Sequence, residues 1–129
     1  MYVLDSSILI ELFEKRSLTP VIVDFLKEEP PVTTSICAHE VLAGARTDKE
    51  RFVFENLLHQ MHILDHDSHA ARVGSSLWRE LRQMGISLTP FDTLIAGICK
   101  ANNAELVTLD HDFAKIKGMK TTVLLKRNT

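Results

Sequence analysis

Cysteine is scarce in this chain, with two in 129 residues. Cys37 and Cys99 both fall inside apolar helical patterns, so they read as small buried side chains and not as a disulfide or a thiolate metal pair. No histidines or cysteines stand at metal-ligand spacing, which argues against zinc. Long apolar runs are missing too. No window approaches the roughly 18 apolar residues a spanning helix needs, so no membrane association is expected. The five glycines form no phosphate-cradling loop, which disfavours a nucleotide triphosphatase. Neither sign of charge dominates. A net charge of −2 excludes a strongly basic nucleic-acid coat, while local basic patches stay possible. There is no internal repeat and no low-complexity segment. The opening Met1-Tyr-Val-Leu-Asp5 has strand character and lacks the basic start and apolar core of a leader, so a reduced, cytoplasmic setting is expected.

What is present is an ordinary globular composition, 45% hydrophobic and 25% charged, in a length that suits one domain over residues 1–129. Tyr2-Val-Leu4 predicts a short strand that stops at Asp5, followed by a helix carrying Ile8, Leu9, Leu12 and Phe13. Thr19-Pro20 predicts a second helix by a cap-then-proline start, with Val21, Ile22, Phe25 and Leu26 as its apolar face. Val32-Thr-Thr34 predicts a second strand. Ser35 is expected to cap the helix that follows, which contains Glu40. Asp48 is expected to cap a helix with Phe52, Phe54, Leu57, Leu58 and Met61 inward. His62-Ile-Leu64 predicts an edge strand. Asp67 or Ser68 starts a long helix with the stripe Ala70, Val73, Leu77, Trp78, Leu81 and Met84, and Gly85 ends it. Thr89 caps the last long helix with Pro90 at its first position. Leu106–Leu109 and Thr121–Leu125 predict the closing strands, and Lys126–Thr129 a frayed tail. Strands alternating with helices at this rhythm predict a mainly parallel sheet covered on both faces.

Four acids stand out against this frame. Asp5 and Asp110 end strands. Glu40 has Ile36, Cys37, Ala43 and Gly44 as its helical neighbours, and Asp92 has Ile95 and Ala96, so both share faces with apolar or small residues. Carboxylates aimed toward a core need partners. In parallel sheets ligands bind beyond the carboxyl ends of the strands, where strand order reverses, and one such edge accommodates all four acids. Two unit charges about 4 Å apart repel by about 4 kcal/mol at an effective dielectric near 20, so a cluster of this kind calls for a cation. All-oxygen ligands suit Mg²⁺ or Mn²⁺. Asp5 and Asp92 are the expected direct ligands, with Glu40 and Asp110 acting through water or a second ion. Hydrolysis of a phosphodiester by metal-activated water is the natural reaction.

Each acid also has a local alternative. Asp5 could cap the following helix, although Ser6 and Ser7 offer the same service; Ser6 could instead orient Asp5. Asp92 fits the third residue of a capping box with Thr89. Asp110 and Asp112 read singly as turn residues. His39 is expected to be half exposed, and His111 to be a solvated loop histidine. Arg46, Arg72, Arg79, Arg82 and Lys100 fit a charged outer face, and Trp78 fits core or a dimer interface. Only the joint pattern of acids favours a site.

The segments Val3-Leu-Asp5-Ser-Ser-Ile-Leu-Ile, Thr34-Ser-Ile-Cys-Ala-His-Glu40-Val-Leu-Ala-Gly, Pro90-Phe-Asp92-Thr-Leu-Ile-Ala and Leu106-Val-Thr-Leu-Asp110-His-Asp112-Phe113 resemble the four motifs of the PIN domain. Their order and the chain length resemble the VapC toxins of prokaryotic toxin–antitoxin pairs. The resemblance implies a three-layer α/β/α fold with a five-stranded, mainly parallel sheet. It also implies a Mg²⁺- or Mn²⁺-dependent endoribonuclease that acts on RNA, forms a homodimer and is held inactive by a cognate VapB-type antitoxin. By the same resemblance Asp5, Glu40, Asp92 and Asp110 are the catalytic and metal-binding acids. Asp112 occupies an adjoining position that is often acidic. Residues 46–88 match only in helical pattern. The competing readings are a non-catalytic module of the same fold that holds a basic peptide on its acidic edge, and an aspartyl-phosphate receiver. A haloacid-dehalogenase-type phosphatase would need an acid where Ser7 stands.

Overall fold

A computed structural model describes residues 1–14, 19–27 and 29–124. Five short strands form one sheet: β1 (Tyr2–Leu4), β2 (Val32–Thr34), β3 (His62–Leu64), β4 (Glu105–Thr108) and β5 (Thr121–Val123). Their order is β3-β2-β1-β4-β5, and every pairing is parallel. The helices are α1 (Ser6–Glu14), α2 (Thr19–Leu26), α3 (Ser35–Ala43), α4 (Asp48–His59), α5 (Ser68–Gln83) and α6 (Pro90–Ala101), with a 3-10 turn at His111–Lys115. β1 to β3 step outward in one direction, and the chain then crosses back to lay β4 on the other side of β1. Right-handed crossovers therefore put α1–α4 on one face and α5–α6 on the other. The reversal lies between β1 and β4, so the crevice beyond their carboxyl ends is where this fold offers a binding site. This is the expected α/β architecture.

β1 and β4 read as near-continuous apolar runs because both faces are covered. Val3, Leu4, Leu106 and Val107 are fully buried. Register pairs Leu4 with Val107, which sets Asp5 alongside Thr108. α5 and α6 approach closely where Gly74 meets Gly97. A Cβ added to Gly97 would stand 2.8 Å from the Gly74 Cα and 3.0 Å from the Ala70 carbonyl oxygen. α6 is buried over Thr93 and Ile95–Cys99, so its register in the molecule, and with it Asp92 in its first turn, is fixed by backbone contact. α5 ends as expected. Gly85 takes φ +73°, and the Ile86 N–H donates back to the Leu81 carbonyl at 2.9 Å, a Schellman-type close.

Several local expectations shift. The caps of α3 and α4 are Thr34 and Thr47, which accept from the Cys37 and Glu50 amides, one residue earlier than Ser35 and Asp48. In each case the last extended residue carries the accepting hydroxyl. The Ser35 hydroxyl instead accepts from the His66 N–H at 3.2 Å. Thr19 already lies within α2, and its hydroxyl donates to the Glu11 carbonyl at 3.2 Å. Val21 is exposed while Ile22 is buried; the Phe25 side chain lies outside the described residues. Phe52 is 65% exposed and Met84, the C-cap of α5, is 50% exposed. Each sits at the rim of an apolar stripe that its helix turns partly to solvent. Between Asp67 and Ser68 the cap is Asp67, which accepts from the Ala70 N–H at 2.8 Å. β4 runs one residue earlier than expected, and β5 stops at Val123. The tail at 125–129 lies outside the described residues.

Candidate functional site

Asp5 is the first residue beyond β1. Its N–H still donates to the Val107 carbonyl at 3.0 Å, and its own carbonyl accepts the Ile8 and Leu9 amides at 3.0 and 3.1 Å. The backbone therefore starts α1, and the carboxylate does not cap it. Asp5 as a whole is 4% exposed. Its Oδ2 accepts from the Thr108 hydroxyl at 2.6 Å and the Ser7 hydroxyl at 3.1 Å. Among the described residues its Oδ1 accepts only a long contact from the Cys37 thiol, at 3.7 Å. Ser7, not Ser6, orients Asp5. Ser6 instead acts on Glu40, opposing the rise of its carboxyl pKa.

Glu40 comes from α3, past the first turn that Thr34 caps. Burial pushes its carboxyl above the ordinary range, and the nearby charges of Asp5 and Asp92 push it further; Ser6 and His39 oppose them. Its Oε1 is buried and has no hydrogen-bond partner among the described residues. A buried acceptor left open costs about 1–3 kcal/mol, more for a charged group, so this oxygen calls for a partner. A Glu40 carboxylate oxygen, an Asp5 carboxylate oxygen and the Cys37 sulfur lie within 4.8 Å of one another.

Asp92 occupies the first turn of α6. Its N–H donates to the Thr89 hydroxyl at 3.2 Å, so Thr89 caps the helix. Burial raises its pKa; Thr89 lowers it, and Asp110, Asp5 and Asp112 raise it again. Asp110 follows β4. Its N–H donates to the Thr108 hydroxyl at 3.0 Å, and its Oδ1 caps the 3-10 turn by accepting from the Asp112 N–H at 2.9 Å. The expected turn role is met, and it occupies one carboxylate oxygen. Asp112 is paired with Lys115 at 2.9 Å and its side chain is half exposed. Asp92 links the set: its charge acts on Glu40, and Asp110, Asp5 and Asp112 act on it, while ligand-distance grouping among the described residues joins only Asp5 and Glu40 of the five, with Cys37. His111 and His39 are exposed, and Arg82 lies over Trp78, 5.9 Å from its ring centroid.

Burial, reinforced by Asp5, pushes the Cys37 thiol up to about 12. It stays protonated near neutrality and offers a weak donor, not a soft anionic ligand. What remains open is a hard, carboxylate-only donor set with an unpaired oxygen, which fits Mg²⁺ or Mn²⁺ and disfavours thiophilic ions. Sequence reasoning missed Ser7 and Thr108 as partners of Asp5, and Cys37 as their counterpart on the other oxygen. Cys37 carried one usable signal: it precedes Glu40 by three residues on the same helical face.

Comparison with known proteins follows the same lines. A relative from Shigella flexneri, a tRNA(fMet)-specific endonuclease VapC, is 27% identical over 93 residues, spanning 68% of this chain and 70% of its own length. DNA-bound VapBC from Salmonella typhimurium contains a chain that superposes with a TM-score of 0.85 at 23% identity, covering 95% of this chain and 96% of that one. VapBC2 from Rickettsia felis, bound to a promoter DNA fragment, gives 0.84 at 22% identity, covering 95% and 98%. These structures share the fold described above. The PIN domain model matches residues 2–119, from β1 through the 3-10 turn and all six helices, and this chain belongs to the PIN domain family.

Proposed function

We propose that this chain is a VapC-type toxin, an endoribonuclease that requires Mg²⁺ or Mn²⁺ and hydrolyses RNA phosphodiester bonds. The observation that carries the reading is the buried, unpaired Glu40 oxygen set against Asp5, with Asp92 and Asp110 close enough to raise the acids' proton affinity. A metal-free protein gains nothing from such mutual repulsion, whereas a divalent cation relieves it. Asp5 and Asp92 would hold the ion directly, and Glu40 and Asp110 would complete the set. When bound, the ion supplies neutralisation of phosphate charge and a more acidic water. Asp5 is fixed by its hydroxyl partners, so it is preorganised. Glu40, set beyond the two direct ligands, is the group suited to take a proton from an attacking water. Asp112, occupied by Lys115, shapes the field at the edge.

The Shigella flexneri relative is named for a tRNA, and RNA is the substrate class proposed here. The VapBC structures support a cognate VapB-type antitoxin as partner, and a homodimer and cytoplasmic setting belong to the same reading. A shallow cleft lined by Ile10, Phe13, Val41, Phe54 and Glu40 suits an antitoxin tail that places apolar side chains in it and a basic one against the acids. The test is cleavage mapping on total RNA with the purified protein and Mn²⁺. Asp5→Asn and Asp92→Asn should abolish metal-dependent cuts while retaining the fold, because an amide is a poorer ligand. Equal cleavage by these variants would refute the assignment.

A further inference from the structure

The two oxygens of Asp5 are treated very differently by their surroundings. The Thr108 hydroxyl accepts the Asp110 N–H at 3.0 Å, and the Ser7 hydroxyl accepts the Leu109 N–H at 3.1 Å. Each hydroxyl has one proton to give. Thr108 could spend its proton on Ser7, 3.5 Å away, or on Asp5 Oδ2, 2.6 Å away. The shorter, charge-assisted bond wins. Ser7 then gives its proton to the same Oδ2 at 3.1 Å. A carboxylate oxygen has two in-plane lone pairs, so Oδ2 is saturated. Among the described residues Oδ1 carries only the 3.7 Å thiol contact, a weak bond that leaves acceptor capacity.

We propose that Thr108 and Ser7 are positioning residues that hold Asp5 so that it offers Oδ1 alone to the divalent ion. This rests on reading the acids as an ion site, as argued above. The device is a relay from the turn after β4: two of its amides orient two hydroxyls, and the hydroxyls orient the acid of β1. It depends on the β1–β4 register that sets Asp5 beside Thr108. Removing the Thr108 hydroxyl would free a lone pair on Oδ2 and let the carboxylate turn, spoiling the angle at which Oδ1 meets the ion. Outer hydrogen-bond partners of metal ligands are commonly worth about 10- to 100-fold in affinity.

The experiment is Mn²⁺ binding to the purified protein without RNA, read by electron paramagnetic resonance of the free ion, beside thermal melting in chelator. Thr108→Val, close in shape but without the hydroxyl, should weaken Mn²⁺ binding by about 10- to 100-fold. Thr108→Ser should restore it to near the original value, which a purely structural role of the threonine methyl would not do. Should Thr108→Val fail to fold, Ser7→Ala at the start of α1 makes the same test with a smaller expected loss. Thr108→Val or Ser7→Ala binding Mn²⁺ as the original does, while Asp5→Asn loses it, would overturn the positioning role and leave the ion site standing. Indifference of Mn²⁺ binding to Asp5→Asn would overturn both.

Discussion

Glu40→Gln should make the metal-free protein more stable. The Glu40 and Asp5 carboxylate oxygens lie within 4.8 Å. Two unit charges at that distance repel by about 3.5 kcal/mol at an effective dielectric near 20 and by about 1 kcal/mol in bulk water. Glu40 is only partly buried, so screening places the relief toward the lower part of that range, about 1–2 kcal/mol. For a chain of this size that is a rise in Tm of roughly 3–8 °C in chelator. The amide also keeps the shape of the side chain, so no cavity offsets the gain. With Mn²⁺ present the order should reverse, because the original protein gains about 2.7 kcal/mol at a hundred times Kd and the variant gains less.

The pH dependence has a defined sign. Burial first, then Asp5 and Asp92, raise the folded-state pKa of Glu40 above its ordinary value of 4.5. The folded state therefore holds this proton more tightly than the unfolded chain, and metal-free stability falls as pH rises from about 4.5 through the folded-state pKa. The loss is complete above it. Glu40→Gln should flatten that portion of the curve. Melting in chelator at two pH values, with and without Mn²⁺, checks both arms. A variant that melts at or below the original in chelator would refute the claim that the acids repel in the empty site.

Three further outcomes are expected. Gly97→Ala should destabilise by about 1–3 kcal/mol, because its Cβ would sit 2.8 Å from the Gly74 Cα and backbone cannot step aside cheaply; urea unfolding measures it. Cys37 and Cys99 should react with a thiol reagent only after unfolding, since burial raises both thiols, and prompt labelling of the native protein near pH 8 would contradict this. Asp112→Asn should reduce RNA cleavage less than Asp92→Asn, because Asp112 is already paired with Lys115 at 2.9 Å; rate comparison at saturating Mn²⁺ decides it.

Periodicity carried most of the architecture, because long helices with one apolar stripe and short apolar strands between them leave few arrangements. Gly85, Thr89-Pro90 and Asp67 were readable because each does one local job. The acids were readable only as a group: Glu40 and Asp92 put charge on apolar faces, while Asp5 and Asp110 read singly as ordinary cap and turn residues. The partners of Asp5 were not readable. Thr108 lies 103 residues away, and only the β1–β4 register brings it there. A hydroxyl at the end of a buried strand looks like any other β-branched residue until that register is known. Phe52 and Met84 failed for a related reason, since a helical stripe has a width and the sequence does not say which rim faces solvent.

The site also shows how repulsive groups are kept in place by a chain that is better off without them. None of the four principal acids depends on its carboxylate alone to hold its backbone. The Asp5 carbonyl starts α1 while hydroxyls grip its side chain. Glu40 rides a helix already capped by Thr34. Asp92 rides one capped by Thr89 and anchored where Gly97 meets Gly74. Asp110 spends one oxygen on a turn and keeps the other. Caps and backbone contacts absorb the repulsion, so the acids stay gathered with no ion between them. This is why removing one charge should raise stability instead of collapsing the edge, and why stability and ion binding should move in opposite directions across Glu40→Gln.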